Sequence, residues 1–193
     1  MRGPLLALLL LAAGCSRTPE AEPEELRKLK QLPAFQLTER TGDAFGLDQL
    51  KGHVWVANFF YTTCPGPCAA LSARMGDVQK AVADFEDVRL VSISSDPEKD
   101  TPEVLRGYAQ TFHAGPRWFF LTGKKDIIYE LANKGFLLSL TEDLANTTEP
   151  ITHATRLVLI DRAGTIRGYY DGTTTEGIAR LLAALKRLRK EKP

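Results

Sequence analysis

An α/β fold, a mixed β-sheet flanked by helices in a single domain, is predicted by three features of this 193-residue sequence. Apolar, β-branched runs alternate with stretches of helical periodicity, no internal repeat interrupts them, and two closely spaced strands come late, before a final amphipathic helix. The first long run, Val54 to Tyr61, is apolar and aromatic throughout, as a strand covered on both faces must be. Leu71, Met75, Val78, Val82 and Phe85 then recur at helical spacing, and Val88–Ser94 reads as a second strand. Thr101-Pro102-Glu103 is a helix start, with the helix running towards Phe112. Trp118–Leu121 is a third strand, followed by a helix from about Lys124 to Lys134.

Arg156–Ile160 and Thr165–Tyr170 flank Asp161-Arg-Ala-Gly164 and predict a hairpin. Thr173 and Glu176 have the spacing of a capping box. The last helix carries Ile178, Leu181, Leu182, Leu185 and Leu188 on one face and basic residues at its end. The order β-α-β-α-β-α-β-β-α implies parallel crossovers and a terminal antiparallel hairpin, and it matches an elaborated thioredoxin-like fold.

Charge narrows the function. Lys and Arg number 25 against 24 Asp and Glu, so no field steers a polyanion, and nucleic-acid binding is not expected. Residues 1–14, with Arg2 ahead of the apolar run Leu5–Ala13, read as a secretory signal. Leu11-Ala-Ala-Gly-Cys15 resembles the lipobox of bacterial lipoproteins, which implies cleavage before Cys15 and a lipid on its thiol. Residues 15–32 hold two prolines, with Pro33 directly after them, and many charges, as in a solvated tether, with a short helix over Glu24 to Leu32 as an option. The domain is expected over residues 33–190. The localisation that follows is the cell envelope, on the extracytoplasmic (periplasmic) side, anchored to a membrane by lipid.

Cys64 and Cys68 stand in Tyr61-Thr-Thr-Cys64-Pro-Gly-Pro-Cys68, after the first long strand and at the start of a helix, where amides and the dipole would lower a thiol pKa. On a helix, residues four apart hold their Cβ atoms about 5–6 Å apart, wider than a relaxed disulfide wants. Spacing therefore favours a metal clip that can also oxidise, while a simple structural disulfide stays open. A thioredoxin-type reductase would have its second cysteine where Pro67 stands, and a peroxiredoxin would have threonine where Tyr61 stands. Of the three histidines, His53 falls in a turn and His113 at a helix terminus. His153 just precedes the strand Arg156–Ile160, whose entry faces the cysteine-bearing helix start in a thioredoxin-like sheet. Two sulfurs and one imidazole suit Cu(I), and Cu(II) with an added ligand; a histidine bonded to loop backbone is the alternative.

Phe59–Cys68, Ser94-Ser-Asp-Pro-Glu-Lys-Asp-Thr-Pro102, Trp118–Gly123 and Thr152-His-Ala-Thr-Arg-Leu-Val-Leu-Ile-Asp161 together resemble the Sco/SenC family, over about residues 33–190. The resemblance implies membrane-tethered, thioredoxin-like copper proteins that serve cytochrome c oxidase assembly, with copper on Cys64, Cys68 and His153. It implies as partner oxidase subunit II, with its binuclear copper site, or another copper-receiving envelope protein. A thiol–disulfide oxidoreductase with Cys64 and Cys68 as its redox-active pair, and a copper or redox sensor, remain the alternatives. Asp96, in the Asp96-Pro97 turn, matches a family motif and either supports the cysteine loop or serves the turn. Phe60 and Tyr61 either shield the metal or belong to the core.

Overall fold

An unbroken apolar strand needs cover on both faces, and Val54–Phe60, buried at every position, lies inside an eight-stranded sheet. The computed structural model describes residues 26–142, 151–152 and 155–191. Its strands are β1 (Lys30–Gln31), β2 (Gln36–Glu39), β3 (Ala44–Gly46), β4 (Val54–Phe60), β5 (Val88–Ser94), β6 (Trp118–Thr122), β7 (Thr141–Glu142), β8 (Ile151–Thr152), β9 (Arg156–Ile160) and β10 (Thr165–Asp171). The helices are α1 (Cys68–Ala81), α2 (Pro102–Thr111), α3 (Lys125–Glu130) and α4 (Thr175–Leu188). The large sheet runs β1-β10-β9-β4-β5-β6-β2-β3, and β7 pairs with β8 separately. β4, β5 and β6 are parallel, whereas β9 and β10 run antiparallel to their neighbours. This is the mixed sheet expected from the sequence.

Alternation sorts the side chains of β4 onto two faces. Trp55 and Phe59 meet Phe136, with ring centroids 6.1 and 5.3 Å away. Phe60 stacks on Tyr108 of α2 at 5.0 Å, so it is core. α1 buries Cys68, Leu71, Ser72, Met75 and Val78. It ends at Ala81, so Val82 and Phe85, expected on the helix, lie in the turn after it. Thr101 caps α2 as expected, accepting from Val104 N at 3.4 Å. The third helix is α only to Glu130; Leu131–Gly135 then continues as a π-helix. The cap of α4 is Thr174, which accepts from Gly177 N at 3.0 Å, and not Thr173, whose hydroxyl donates to Asp171 instead.

The described part of the stretch expected as a tether is not helical. Lys30 and Gln31 pair with Ile166 and Thr165 at the sheet edge, and Leu32 is buried. Gln31 bonds to Ala163 O and Thr165 Oγ1, and a buried arginine adds to the hold. The β9–β10 register shifts between Ile166 and Gly168, and the intervening Arg167 is buried. Its guanidinium donates to Leu26 O (2.6 Å), Asp161 Oδ2 (3.2 Å) and both Glu191 carboxylate oxygens (2.8 and 3.0 Å). Arg167→Met should therefore cost about 2 kcal/mol in chemical denaturation, because it strands hydrogen-bonded acceptors of which Asp161 is buried. Amide exchange at Leu29, which donates to Ile166 O, should accelerate most.

Candidate metal and thiol site

The C-terminal ends of β4 and β5 deliver the site. β4 runs straight into Tyr61 and Thr62, and the chain then turns through Cys64-Pro65-Gly66-Pro67 before α1 starts at Cys68. Cys64 lies outside the helix, so the i, i+4 geometry expected of the pair does not apply. Pro67 occupies the N-cap position, where its missing N–H costs nothing, and Leu71 N donates to its carbonyl at 2.8 Å. Cys64 N donates to Tyr61 O at 3.3 Å.

Both cysteines are thiols, and they are hydrogen-bonded to one another. Cys68 is 1% exposed, and Cys64 is half-buried. Burial, then the hydrogen bond with Cys64, pushes the Cys68 thiol far above its ordinary value of 9.0, against a backbone hydrogen bond from Tyr61 that pulls it down. This reverses the lowered pKa expected at a helix start: Cys68 faces the core, and desolvation outweighs the helix-end amides. One turn further along α1, Ser72 Oγ and Tyr108 Oη are 2.9 Å apart. Burial pushes that phenol up to about 12.

A carboxylate inside the Ser94–Pro102 motif, given no role of its own from sequence, sits beneath the loop. Asp100, wholly buried, accepts from Thr62 N (3.1 Å), Thr62 Oγ1 and Ser94 Oγ (2.6 Å). Burial raises its pKa, while these donors lower it. Asp96 has the other role. Its carbonyl accepts from Lys99 N and Asp100 N, its N–H donates to Ser94 Oγ (3.0 Å), and its carboxylate pairs with the exposed Lys99 at 3.0 Å. Asp96 builds the turn and Asp100 holds the cysteine loop. The signal was present in the spacing Asp96-Pro-Glu-Lys-Asp100, but only the fold shows which carboxylate turns inward.

His153 and Cys15 lie outside the described residues. Of the other histidines, His53 Nε2 is 2.8 Å from Arg89 Nη2, and His113 follows α2 in the left-handed region with φ 51°. Around His153, Thr152 ends β8, and Thr155 O accepts from Gly172 N at 2.9 Å. A Cβ on Gly172 would come within 3.1 Å of that carbonyl and 2.2 Å of Leu71 Cδ1, so any side chain there would have to displace Leu71. Thr155 and the first turn of α1 thus converge on one residue. Since β9 is antiparallel to β4, Arg156 enters the sheet at the end where β4 delivers the cysteines. Among the described residues, no group of three His, Cys, Asp or Glu is assembled to hold a metal, and no helix is long and apolar enough to cross a membrane.

The SCO1/SenC family model matches residues 23–190. A SCO1/SenC family lipoprotein from Bacillus anthracis is 32% identical, with a TM-score of 0.77 over 83% of this chain and 96% of its own. BsSco, a member of the Sco family of cytochrome c oxidase assembly proteins in which a disulfide switch was identified, is 29% identical, with a TM-score of 0.75 over 84% of this chain and 95% of its own. ScoI of Bradyrhizobium japonicum, solved with copper bound, is 27% identical, with a TM-score of 0.69 over 82% of this chain and 99% of its own. The thioredoxin-like fold expected from the element order is the fold of these neighbours.

Proposed function

The chain belongs to the SCO1/SenC family, and on that premise we propose that it is a copper-binding assembly factor for the binuclear copper site of cytochrome c oxidase, taking its metal through Cys64, Cys68 and His153. The observation that carries this reading is the pair of hydrogen-bonded thiols at the head of α1, one of them reaching the surface. Soft sulfur donors select Cu(I), and a half-buried Cys64 can hand the ion to a partner's thiolates. The antiparallel entry of β9 and the packing of Thr155 near α1 support His153 as the third ligand. Copper is cargo here, received and passed on. The partner is oxidase subunit II or another copper-receiving envelope protein. A lipid on Cys15 holds the domain at the extracytoplasmic face of a membrane, in keeping with the lipoprotein relative.

Titrating the reduced protein with Cu(I) should give one tight equivalent. Cys64→Ser or Cys68→Ser should weaken it by at least ~1000-fold, and His153→Ala should weaken it by more than the ~10–100-fold that losing a ligand's supporting partner costs. Affinity unchanged in both cysteine variants rejects the proposal. The hydrogen-bonded thiols favour one second reading, a thiol–disulfide oxidoreductase of the cell envelope. In that chemistry a substrate disulfide takes two electrons and two protons from the pair, leaving a Cys64–Cys68 disulfide and a reduced substrate. That reading requires His153→Ala to retain full disulfide-reducing activity.

A further inference from the structure

The loop between the cysteines has little to fix it from within. Pro65 and Pro67 have no N–H to donate, Pro65 and Gly66 are exposed, and Cys64 N donates to Tyr61 O. Its downstream end is tied to α1 through Pro67 O and Leu71 N. Its upstream end is tied through Thr62, two residues before Cys64, and Thr62 gives both its backbone N–H and its hydroxyl to one carboxylate. That carboxylate, Asp100, also takes the hydroxyl of Ser94, the last residue of β5. Ser94 in turn accepts from Asp96 N, and Asp100 N donates to Asp96 O, which closes the turn that carries the carboxylate. A wholly buried carboxylate loses its hydration, a cost that persists only where several donors replace the lost water.

We propose that Asp100 is the positioning residue of the thiol pair, holding Cys64 against Cys68 by clamping Thr62 to the end of β5. Donors approach both of its oxygens, a demand that no neutral side chain of that size meets. An asparagine has one accepting oxygen and turns an NH2 towards a donor. Without the clamp Cys64 swings on its proline loop, while Cys68 stays seated in the core. The inference deepens the copper reading, but its main test does not depend on metal.

The test is the equilibrium of the full domain with glutathione buffers, read by thiol-reactive mass tagging of Cys64 and Cys68. Glutathione disulfide accepts two electrons and two protons from the dithiol, giving two glutathione molecules and the protein disulfide. Asp100→Asn should lower the constant for that closure by about tenfold, because a loosened Cys64 offers Cys68 a lower effective concentration. Thr62→Val, which removes only the hydroxyl bond, should lower it about threefold and add little to Asp100→Asn, as expected within one network. Ser92→Ala is the control for general loosening. It breaks buried bonds to Asn58 Oδ1 (2.7 Å) and from Trp118 Nε1 (2.9 Å) without touching the clamp, and should leave the constant unchanged. Cu(I) affinity should fall in the two clamp variants in the same order. A constant unchanged in Thr62→Val and Asp100→Asn, or an equal fall in Ser92→Ala, overturns the proposal; if Asp100→Asn does not fold, Thr62→Val decides alone. Wild-type protein that takes up no Cu(I) refutes the copper reading and leaves the glutathione result to judge Asp100.

Discussion

Cys68→Ser should cost both the metal and part of the fold, whereas Cys64→Ser should cost the metal alone. Either change removes one thiolate from the proposed ligand set. With total binding energies of order 10 kcal/mol or more for such sets, losing one bond should weaken Cu(I) binding by at least ~1000-fold. The two positions differ in burial. Cys68 is 1% exposed on the inward face of α1, among Leu71, Met75 and Val78. A hydroxyl placed there carries a desolvation cost of about 1–2 kcal/mol that the weakly polar thiol avoids. Cys64 is half-buried at the loop, and serine is tolerated there. Denaturation of the two reduced, metal-free variants separates the effects; equal stability in both would contradict the buried placement of Cys68.

The same burial fixes the pH dependence. Cys68 binds its proton more tightly folded than unfolded, so its contribution to stability is fully present below the unfolded value of 9.0 and is lost as pH rises above it. Tyr108 behaves alike at higher pH, between its ordinary 10.0 and about 12. Denaturation midpoints should therefore fall from pH 9 upward, and Cys68→Ser should remove the part that begins at pH 9 while sparing the part that begins above 10. Metal binding shifts the opposite way. With Cys68 as a proposed ligand, Cu(I) has to displace its proton, so affinity should rise about tenfold per pH unit for that thiol through the neutral range.

The central sheet was legible because its strands are periodic and apolar: Val88–Ser94 and Arg156–Ile160 occupy the residues expected of them. The short pieces were not. β1, β2 and β3 span two to four residues each, and Lys30 and Gln31 join the sheet through partners over a hundred residues later: Arg167 clamps Leu26, and Gln31 bonds to Ala163 and Thr165. No local pattern encodes that contact. At the site, the cysteines announced themselves by spacing, but their environment depended on long-range packing. The helix dipole pointed to a lowered thiol pKa, and the core into which Cys68 turns raised it instead. Asp100 escaped notice for the same reason, since its partners Thr62 and Ser94 belong to two other segments brought together by the β4–β5 pairing.

Phe136→Ala should be the most damaging single change distant from the thiols. The ring is wholly buried, set edge-on against Trp55 and Phe59 on the sheet face opposite α2, and truncating such a side chain costs about 3–5 kcal/mol. Its backbone is held as firmly as its ring. Phe136 N donates to Leu131 O (2.8 Å) at the end of the π-helix, and Phe136 O accepts from Tyr169 Oη (3.0 Å). Beyond it the chain reverses through Leu137, at φ 53°, and Asn133 takes Leu140 in a two-way clasp, with N–H and C=O each paired at 2.9 Å. β7 starts at the next residue and pairs with β8, whose last residue, Thr152, directly precedes His153 in the chain. Emptying the Phe136 pocket should therefore loosen the base of that hairpin as well as the core. Cu(I) affinity in the folded variant should drop roughly tenfold, the scale of a disturbed ligand support. That loss should be absent when His153→Ala is already present, since the support then has no ligand to hold. Full additivity with His153→Ala would separate the aromatic cluster from the metal and leave Phe136 a core residue alone.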